Sequence, residues 1–142
     1  MADEWTMPKG ELMAGKRGLV MGVLSDSSIA WGIAKQLAAQ GAEIAFTYQG
    51  DAAEKRVRPL AESVGGKLLM PCDVTNDVQL DAVFDRVKAE WGKLDFLVHA
   101  IAFWGKNELQ VSFVENTARE NFLRTMDVSA FSWVACAKRA AP

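Results

Sequence analysis

The chain has 142 residues, 50% hydrophobic and 24% charged, which fits one globular domain. Its net charge is −2 and its basic residues are scattered, which argues against a nucleic-acid surface or an anionic membrane surface. Two cysteines and one histidine match no metal-binding spacing, so we predict no metal site and expect Cys72 and Cys136 to be free, buried thiols.

The N-terminal segment is acidic, which argues against a secretory signal peptide. Asp3, Glu4 and Glu11 stand where a secretory signal peptide would carry positive charge. The apolar run 18–24 is too short to span a membrane. Residues 1–14 have no periodicity, so we predict a loose leader there, a dinucleotide-binding domain over residues 15–142 and a cytoplasmic protein.

A strand–helix alternation runs from residue 16 onward. Short apolar runs predict four strands, over residues 17–22, 43–47, 67–72 and 94–99. Apolar residues spaced three and four apart predict the helices that follow the first three strands, over residues 29–40, 52–64 and 77–91. We therefore predict an α/β fold, a Rossmann-like doubly wound parallel sheet, truncated after about four strands.

The ends of the first three helices carry local signals. Gly41 is expected to end the first helix, and Pro59 to break or kink the second. Thr75 or Asn76 can begin the third. The apolar face of that third helix is predicted to consist of Val78, Leu80, Val83, Phe84 and Val87.

The last predicted helix begins at a capping box, Thr117 and Glu120, and runs toward Ala140. Its apolar residues do not fall on one stripe, which is typical of a helix buried on more than one side. They are Phe122, Met126, Val128, Phe131, Trp133, Val134 and Ala137. The chain ends where a βα fold would return to its sheet, so we expect a truncated domain that associates through its apolar helix and open strand edge.

The turn between the first strand and the first helix carries the strongest functional signal. A helix N-terminus with unpaired N–H groups suits a pyrophosphate. Gly22 can let the backbone approach that ligand, Ser28 can cap the helix and donate to a phosphate or ribose oxygen, and Gly32 can permit close packing. The loop is longer than the G-x-G-x-x-G fingerprint, so an ordinary capped turn stays open as an alternative.

Polar residues follow the second and third strands. Gln49 stands where dinucleotide folds contact the adenosine ribose, and it can bind a ribose hydroxyl or be a plain turn residue. Lys55 and Arg56 come soon after, so a 2′-phosphate is not strictly excluded. Asp73 can accept from an adenine amino group, help to begin the third helix, or do both.

Small and aromatic residues follow the fourth strand. Ala100 and Ala102 would let a flat nicotinamide lie against the backbone, and Phe103 and Trp104 would add an apolar wall. His99 is better interpreted as a packed strand-end residue than as a base, because the sequence offers no carboxylate to orient it.

Together these segments resemble bacterial NADH-dependent enoyl-acyl-carrier-protein reductases, a divergent branch of the short-chain dehydrogenase/reductases. The resemblance rests on GVLSDSSIAWGIAKQLAAQGAEIAFTYQG, PCDVTND and WGKLDFLVHAIAF, and it covers about residues 13–139. It implies hydride transfer from NADH to a trans-2-enoyl thioester on acyl carrier protein, in fatty-acid synthesis by a closed homotetramer. The implied NAD contacts are Gly22, Ser28, Ile29, Gln49, Asp73, Val74 and Ile101, and Trp104 would border the acyl substrate.

The resemblance assigns no catalytic residue to this chain. The family's tyrosines and lysine, with Tyr-x6-Lys spacing, lie beyond the fifth strand, and we predict that the 142 residues alone are inactive. Two alternatives stay open. One is a non-enzymatic nucleotide-binding or interaction module, and the other is a short-chain dehydrogenase acting on an alcohol or ketone, which the segment after the fourth strand argues against.

Overall fold

A four-stranded, all-parallel sheet forms the centre of the fold. The computed structural model describes residues 8–110 and 112–141, apart from the side chain of Asn107. The strands are β1 (Arg17–Met21), β2 (Glu43–Tyr48), β3 (Leu69–Pro71) and β4 (Phe96–His99). Their order in the sheet is β3-β2-β1-β4. Strands β2 and β3 follow on one side of β1 and β4 lies on its other side, so the direction in which strands are added reverses between β1 and β4. The predicted α/β fold is confirmed.

Helices cover both faces of the sheet. They are α1 (Ile29–Ala39), α2 (Asp51–Ser63), α3 (Asp77–Trp91), α4 (Phe113–Asn116), α5 (Arg119–Met126) and α6 (Ser132–Ala140). Residues of α1 and α2 pack with Val20 and Phe46, whereas residues of α3 and α6 pack with Leu19 and Met21. Neighbouring strand residues point to opposite faces and both faces are buried, which explains the continuous apolar strands.

Both cysteines lie in the core on the α3–α6 side of the sheet, as free thiols. Burial raises the pKa of Cys72 to about 12 and that of Cys136 to about 11. Both thiols are therefore protonated at neutral pH and poorly nucleophilic. The expectation of free, buried thiols is confirmed.

Two helix ends agree with their sequence signals. Gly41 follows α1 with φ 93°, and the N–H groups of Gly41 and Ala42 bond back to carbonyls of the last turn at 3.0 Å each. This is the pattern in which a glycine closes a helix. Asn76 begins α3, because its side chain accepts a hydrogen bond from the Gln79 N–H at 3.2 Å.

Two local predictions about the helices are wrong, and a third is wrong in part. Helix α2 continues through Pro59, so the predicted break is absent, while the alternative of a kink stays a prediction. Pro59 is exposed, so water can satisfy the carbonyl that a proline leaves unpaired. Val78 is 76% exposed and lies outside the apolar face of α3. A Cβ at Gly32 would meet nothing within 4 Å, so no close packing requires glycine there.

The last predicted helix is divided. Thr117 does not cap it, because the Thr117 hydroxyl donates to the Phe113 carbonyl at 2.6 Å and so completes α4. Ala118 precedes α5 without a side-chain cap, and the predicted capping box is wrong. A π-turn, Asp127–Phe131, joins α5 to α6 in one helical path. Within the two described ranges, no helix has the length and apolar character needed to cross a bilayer.

Part of the predicted leader contacts α1. The N–H groups of Gly10 and Met13 donate to the carbonyls of Ala39 and Gln40, at 3.0 and 2.8 Å. The side-chain amide of Gln40 donates in turn to the Pro8 carbonyl at 3.0 Å. Residues 8–14 are therefore tied to the end of the first helix, while residues 1–7 lie outside the described ranges. The domain boundary at residue 15 stays a prediction.

Candidate functional site

A cleft of about 380 Å³ opens at the carboxyl ends of the strands. Its lining comes from the end of β2 and from the segments that follow the strands, residues 22–24, 47–49, 72–75 and 100–103, together with Arg124 and Val128. A second hollow adjoins it, shares Ala100, Ile101 and Ala102, and adds Ile29. Both lie beside the reversal between β1 and β4, which is where doubly wound sheets bind nucleotides.

The cleft brings together most of the residues expected to contact NAD. Five line it: Gly22, Gln49, Asp73, Val74 and Ile101. Ile29 borders the adjoining hollow, and Ser28 lies in the loop that leads to it. Trp104 packs against Phe113 instead, with ring centroids 5.7 Å apart, and its indole N–H is buried. A contact between Trp104 and substrate stays a prediction.

Gly22 is required for a reason that the sequence did not indicate. Its φ is 112°, a conformation that side chains strain to adopt. A Cβ there would lie 2.7 Å from the carbonyl carbon of Ala100 and closer still to its oxygen. The close neighbour of Gly22 is therefore the backbone that continues from β4, and a side chain would collide with the sheet whether or not a ligand is bound.

The hydroxyl of Ser28 organises the loop before α1. Its oxygen accepts hydrogen bonds from the N–H groups of Leu24 and Ser25, at 2.9 and 3.0 Å. Ser28 occupies the N-cap position of α1, as predicted, but its side chain makes no capping bond to the helix. The backbone N–H groups of a loop this long need hydrogen-bond acceptors, and the Ser28 hydroxyl accepts from two of them. Its hydroxyl proton can still be donated to an oxygen of a ligand.

Asp73 holds the turn that leads into α3. Its Oδ1 accepts from the backbone N–H and the hydroxyl of Thr75, at 2.9 and 2.7 Å. Its own N–H donates to Gln79 Oε1 at 2.7 Å. The helix-entry interpretation is confirmed. These bonds use one carboxylate oxygen, so Oδ2 can still accept from a ligand, and the adenine contact stays a prediction.

An ion pair lies beside the end of β2. Arg58 donates to Glu54, one turn earlier on α2. Burial and the Glu54 carboxylate raise the pKa of Tyr48, which lines the cleft. Sequence reasoning considered Lys55 and Arg56 at this end and missed the pair, although the i, i+4 spacing of glutamate and arginine is a usable signal.

His99 is a packed residue at the end of β4. Its Nε2 lies 2.7 Å from the Ser132 oxygen, and the Ser132 hydroxyl donates to the Val128 carbonyl at 2.6 Å. Because the serine proton is used, the ring nitrogen is the donor of the first bond. Burial lowers the pKa of His99, which is neutral at pH 7. These bonds support the packed interpretation, and His99 also lines the hollow that adjoins the cleft.

We expect protonation of His99 to weaken the fold in acid. Its pKa is lower in the folded state than in the unfolded chain, where it is about 6.5. The unfolded state then binds the proton first, so the free energy of unfolding falls as pH drops from about 6.5 toward the folded pKa. His99→Gln keeps a donor for Ser132 without titrating. Denaturant unfolding at about pH 7.5 and about pH 5.5 should show a smaller loss for the variant, and equal losses would contradict the assignment.

Two residues of the last helical path hold Phe103. The Phe103 N–H donates to Ser129 Oγ at 2.9 Å, and the same hydroxyl lies 3.3 Å from the Phe103 carbonyl. The Arg124 guanidinium lies over the Phe103 ring, 4.5 Å from its centroid. Sequence reasoning missed both residues, because both contacts join residues more than 20 positions apart.

A sequence profile of the enoyl-(acyl carrier protein) reductase family matches residues 22–142. Enoyl-[acyl-carrier-protein] reductase [NADH] 2 of Rhizobium meliloti strain 1021 is 61% identical over 130 residues, 92% of this chain and 48% of that protein. The crystal structure of the Anaplasma phagocytophilum reductase in complex with NAD has 50% identity and a TM-score of 0.90, covering 95% of this chain and 51% of that one.

A third similar structure was solved with a different nucleotide. The Bacillus cereus reductase, solved with NADP+ and indole naphthyridinone, has 45% identity and a TM-score of 0.87, over 92% of this chain and 51% of its own. The chain spans about half the length of the curated relatives that it matches.

Proposed function

Because the chain belongs to the enoyl-(acyl carrier protein) reductase family, we propose that it forms the nucleotide-binding part of an NADH-dependent enoyl reductase of type II fatty-acid synthesis. Its substrate is a trans-2-enoyl thioester carried on acyl carrier protein, and the reaction adds a hydride to the β-carbon. The observation that carries this proposal is the cleft at the reversal between β1 and β4, lined by Gly22, Gln49 and Asp73.

The polar groups of the cleft suit a dinucleotide. Ser28 has a hydroxyl proton to donate to a phosphate oxygen, and the N-terminus of α1 adds the positive end of a helix dipole. Asp73 has a carboxylate oxygen for an adenine amino group, and Gln49 offers an uncharged amide to a ribose hydroxyl. This donor set supports pyrophosphate, adenine and ribose as the groups that are bound.

The residues of this chain bind and orient the cofactor. When bound, NADH supplies the hydride. The small side chains of Ala100 and Ala102 leave room for a flat ring against the backbone, while Ile29 and Ile101 give that end an apolar lining. Trp104 is proposed to border the acyl chain. We assign no proton-transferring residue here, because Tyr48 belongs to the adenosine end.

The test uses the protein at its natural length. NADH oxidation should follow addition of a crotonyl or longer enoyl thioester and should not follow addition of a simple aldehyde or ketone, and a simple alcohol should not reduce NAD+. Loss of the enoyl reaction with retention of a ketone reaction would favour a different short-chain dehydrogenase. NAD binding without any turnover would favour the non-enzymatic nucleotide-binding module.

We also propose a closed, symmetric homotetramer. Several large apolar side chains of α5, α6 and the π-turn are about half exposed, a pattern that supports burial against other subunits. They are Phe122, Leu123, Met126, Phe131, Trp133 and Val134. Sedimentation of the natural-length protein over a range of concentrations should give a tetramer. A monomer throughout would contradict this assembly.

We also propose a cytoplasmic location. The free thiols of Cys72 and Cys136 are compatible with a reducing compartment, where thiols stay unpaired.

A further inference from the structure

An ion pair that the proposed function does not use lies beside Tyr48, a residue that lines the cleft. Glu54 and Arg58 are bonded to each other on α2, and both act electrostatically on Tyr48. Tyr48 and Gln49 line the cleft at the carboxyl end of β2. In dinucleotide-binding sheets this is where the adenosine ribose is held, and where an arginine can accommodate a 2′-phosphate.

The charges around this corner disfavour a further anion. Tyr48 is influenced by two carboxylates, those of Asp51 and Glu54, and by one guanidinium, that of Arg58. Gln49 adds no charge. The basic residue in the lining of the cleft is Arg124, which lies over Phe103 beyond β4 rather than at this corner.

Arg58 is the cation best able to bind an anion at this corner. Its side chain is 49% exposed and that of Glu54 is 30% exposed, so the pair lies at the surface and can rearrange. A long arginine side chain on a helix leans toward the N-terminus, here toward the end of β2. A guanidinium also matches the geometry of a phosphate.

We propose that the Glu54–Arg58 ion pair is a cofactor-specificity determinant: Glu54 engages the guanidinium that would otherwise bind a 2′-phosphate, and so favours NADH over NADPH. The inference rests on the proposed nucleotide site. It differs from the sequence-based expectation, in which Lys55 or Arg56 was the candidate phosphate ligand.

The test measures binding of adenosine 2′,5′-bisphosphate and of 5′-AMP to the natural-length protein by titration calorimetry. Glu54→Gln should tighten binding of the bisphosphate about tenfold, the size of one charge-assisted hydrogen bond, and leave 5′-AMP unchanged. Adding Arg58→Gln should abolish the gain. Glu90→Gln is the matched control, because Arg86 and Glu90 form the same i, i+4 pair on α3.

Two further measurements test the role of charge and the choice of cofactor. The gain in Glu54→Gln should shrink between about 50 mM and about 500 mM salt, because the groups are partly exposed. The ratio of kcat/KM for NADPH to that for NADH should rise by the same factor of about ten.

The outcomes separate the two proposals. An unchanged preference in Glu54→Gln, with 5′-AMP still bound, overturns the role of the ion pair and leaves the proposed function standing. A gain that persists in the double variant overturns the assignment of Arg58. Failure of the wild-type protein to bind 5′-AMP, NAD+ or NADH overturns the nucleotide site itself, and the ion-pair inference with it.

Discussion

Replacing Gly22 with valine is expected to lower the free energy of unfolding by at least about 3 kcal/mol. The new side chain would overlap the backbone of Ala100 and would have to adopt a φ of 112°. Ala100 continues directly from β4, and its N–H donates to the Met21 carbonyl at 3.0 Å. The two segments are therefore held at this separation by the sheet, so the strain cannot be relieved by turning one flexible side chain.

Gly50→Val is the matched control, because it isolates the cost of the backbone conformation. Gly50 also has a positive φ, 82°, yet a Cβ there would meet nothing within 4 Å. It should cost only about 1–2 kcal/mol. Denaturant unfolding of both variants at natural length measures the difference. Equal stabilities would remove the steric argument, and a stable Gly22→Val protein that fails only to bind NADH would restore the ligand-approach role expected from the sequence.

A polypeptide limited to these 142 residues is expected to reduce an enoyl thioester at least about 10³-fold more slowly than a family member of about twice this length, such as the Rhizobium meliloti reductase. Hydride addition to the β-carbon leaves negative charge on the thioester side, which needs a stabilising donor and a proton. The only tyrosine, Tyr48, lies after β2 at the adenosine end. His99 is neutral and donates to Ser132, so it is poorly suited to supply that proton.

Spectroscopic assay of NADH with a crotonyl thioester decides this prediction. The 142-residue chain and the longer Rhizobium meliloti reductase are compared at equal concentration. A preparation from the same host without either protein controls for host enzyme. Turnover by the short chain within tenfold of the longer one would show that a group described here handles the proton, and Tyr48→Phe and His99→Gln would then identify it.

Local signals account for much of the fold. Helix α3 has the predicted bounds because asparagine commonly begins a helix and glycine commonly ends one, and Asn76 and Gly92 stand at its two ends. The doubly wound parallel sheet also agrees with its prediction, since apolar strands alternating with amphipathic helices leave few arrangements. The predicted third strand was too long by three residues, because Lys67 and Leu68 precede the paired segment and Cys72 follows it.

Features that depend on distant contacts could not be predicted. The requirement for glycine at position 22 comes from Ala100, 78 residues later, and the role of Ser129 comes from its bonds to Phe103. Ser28 was identified as a polar group of the site, but its partners are set by the shape of the loop rather than by residue type. Sequence patterns report neighbours along the chain, and these contacts join separate segments.

The π-turn between α5 and α6 is the place where this helical path can lose a residue. A π-turn holds one residue more than a regular helical turn. Deleting one residue from Asp127–Phe131 would leave a regular helix there, and Ser132, Ala135 and Cys136 would keep their places in the core. Deleting one residue from α5 would instead rotate the preceding part of the helix by about 100° relative to α6. Among homologous sequences, a one-residue gap is therefore expected within this stretch rather than within α5 or α6.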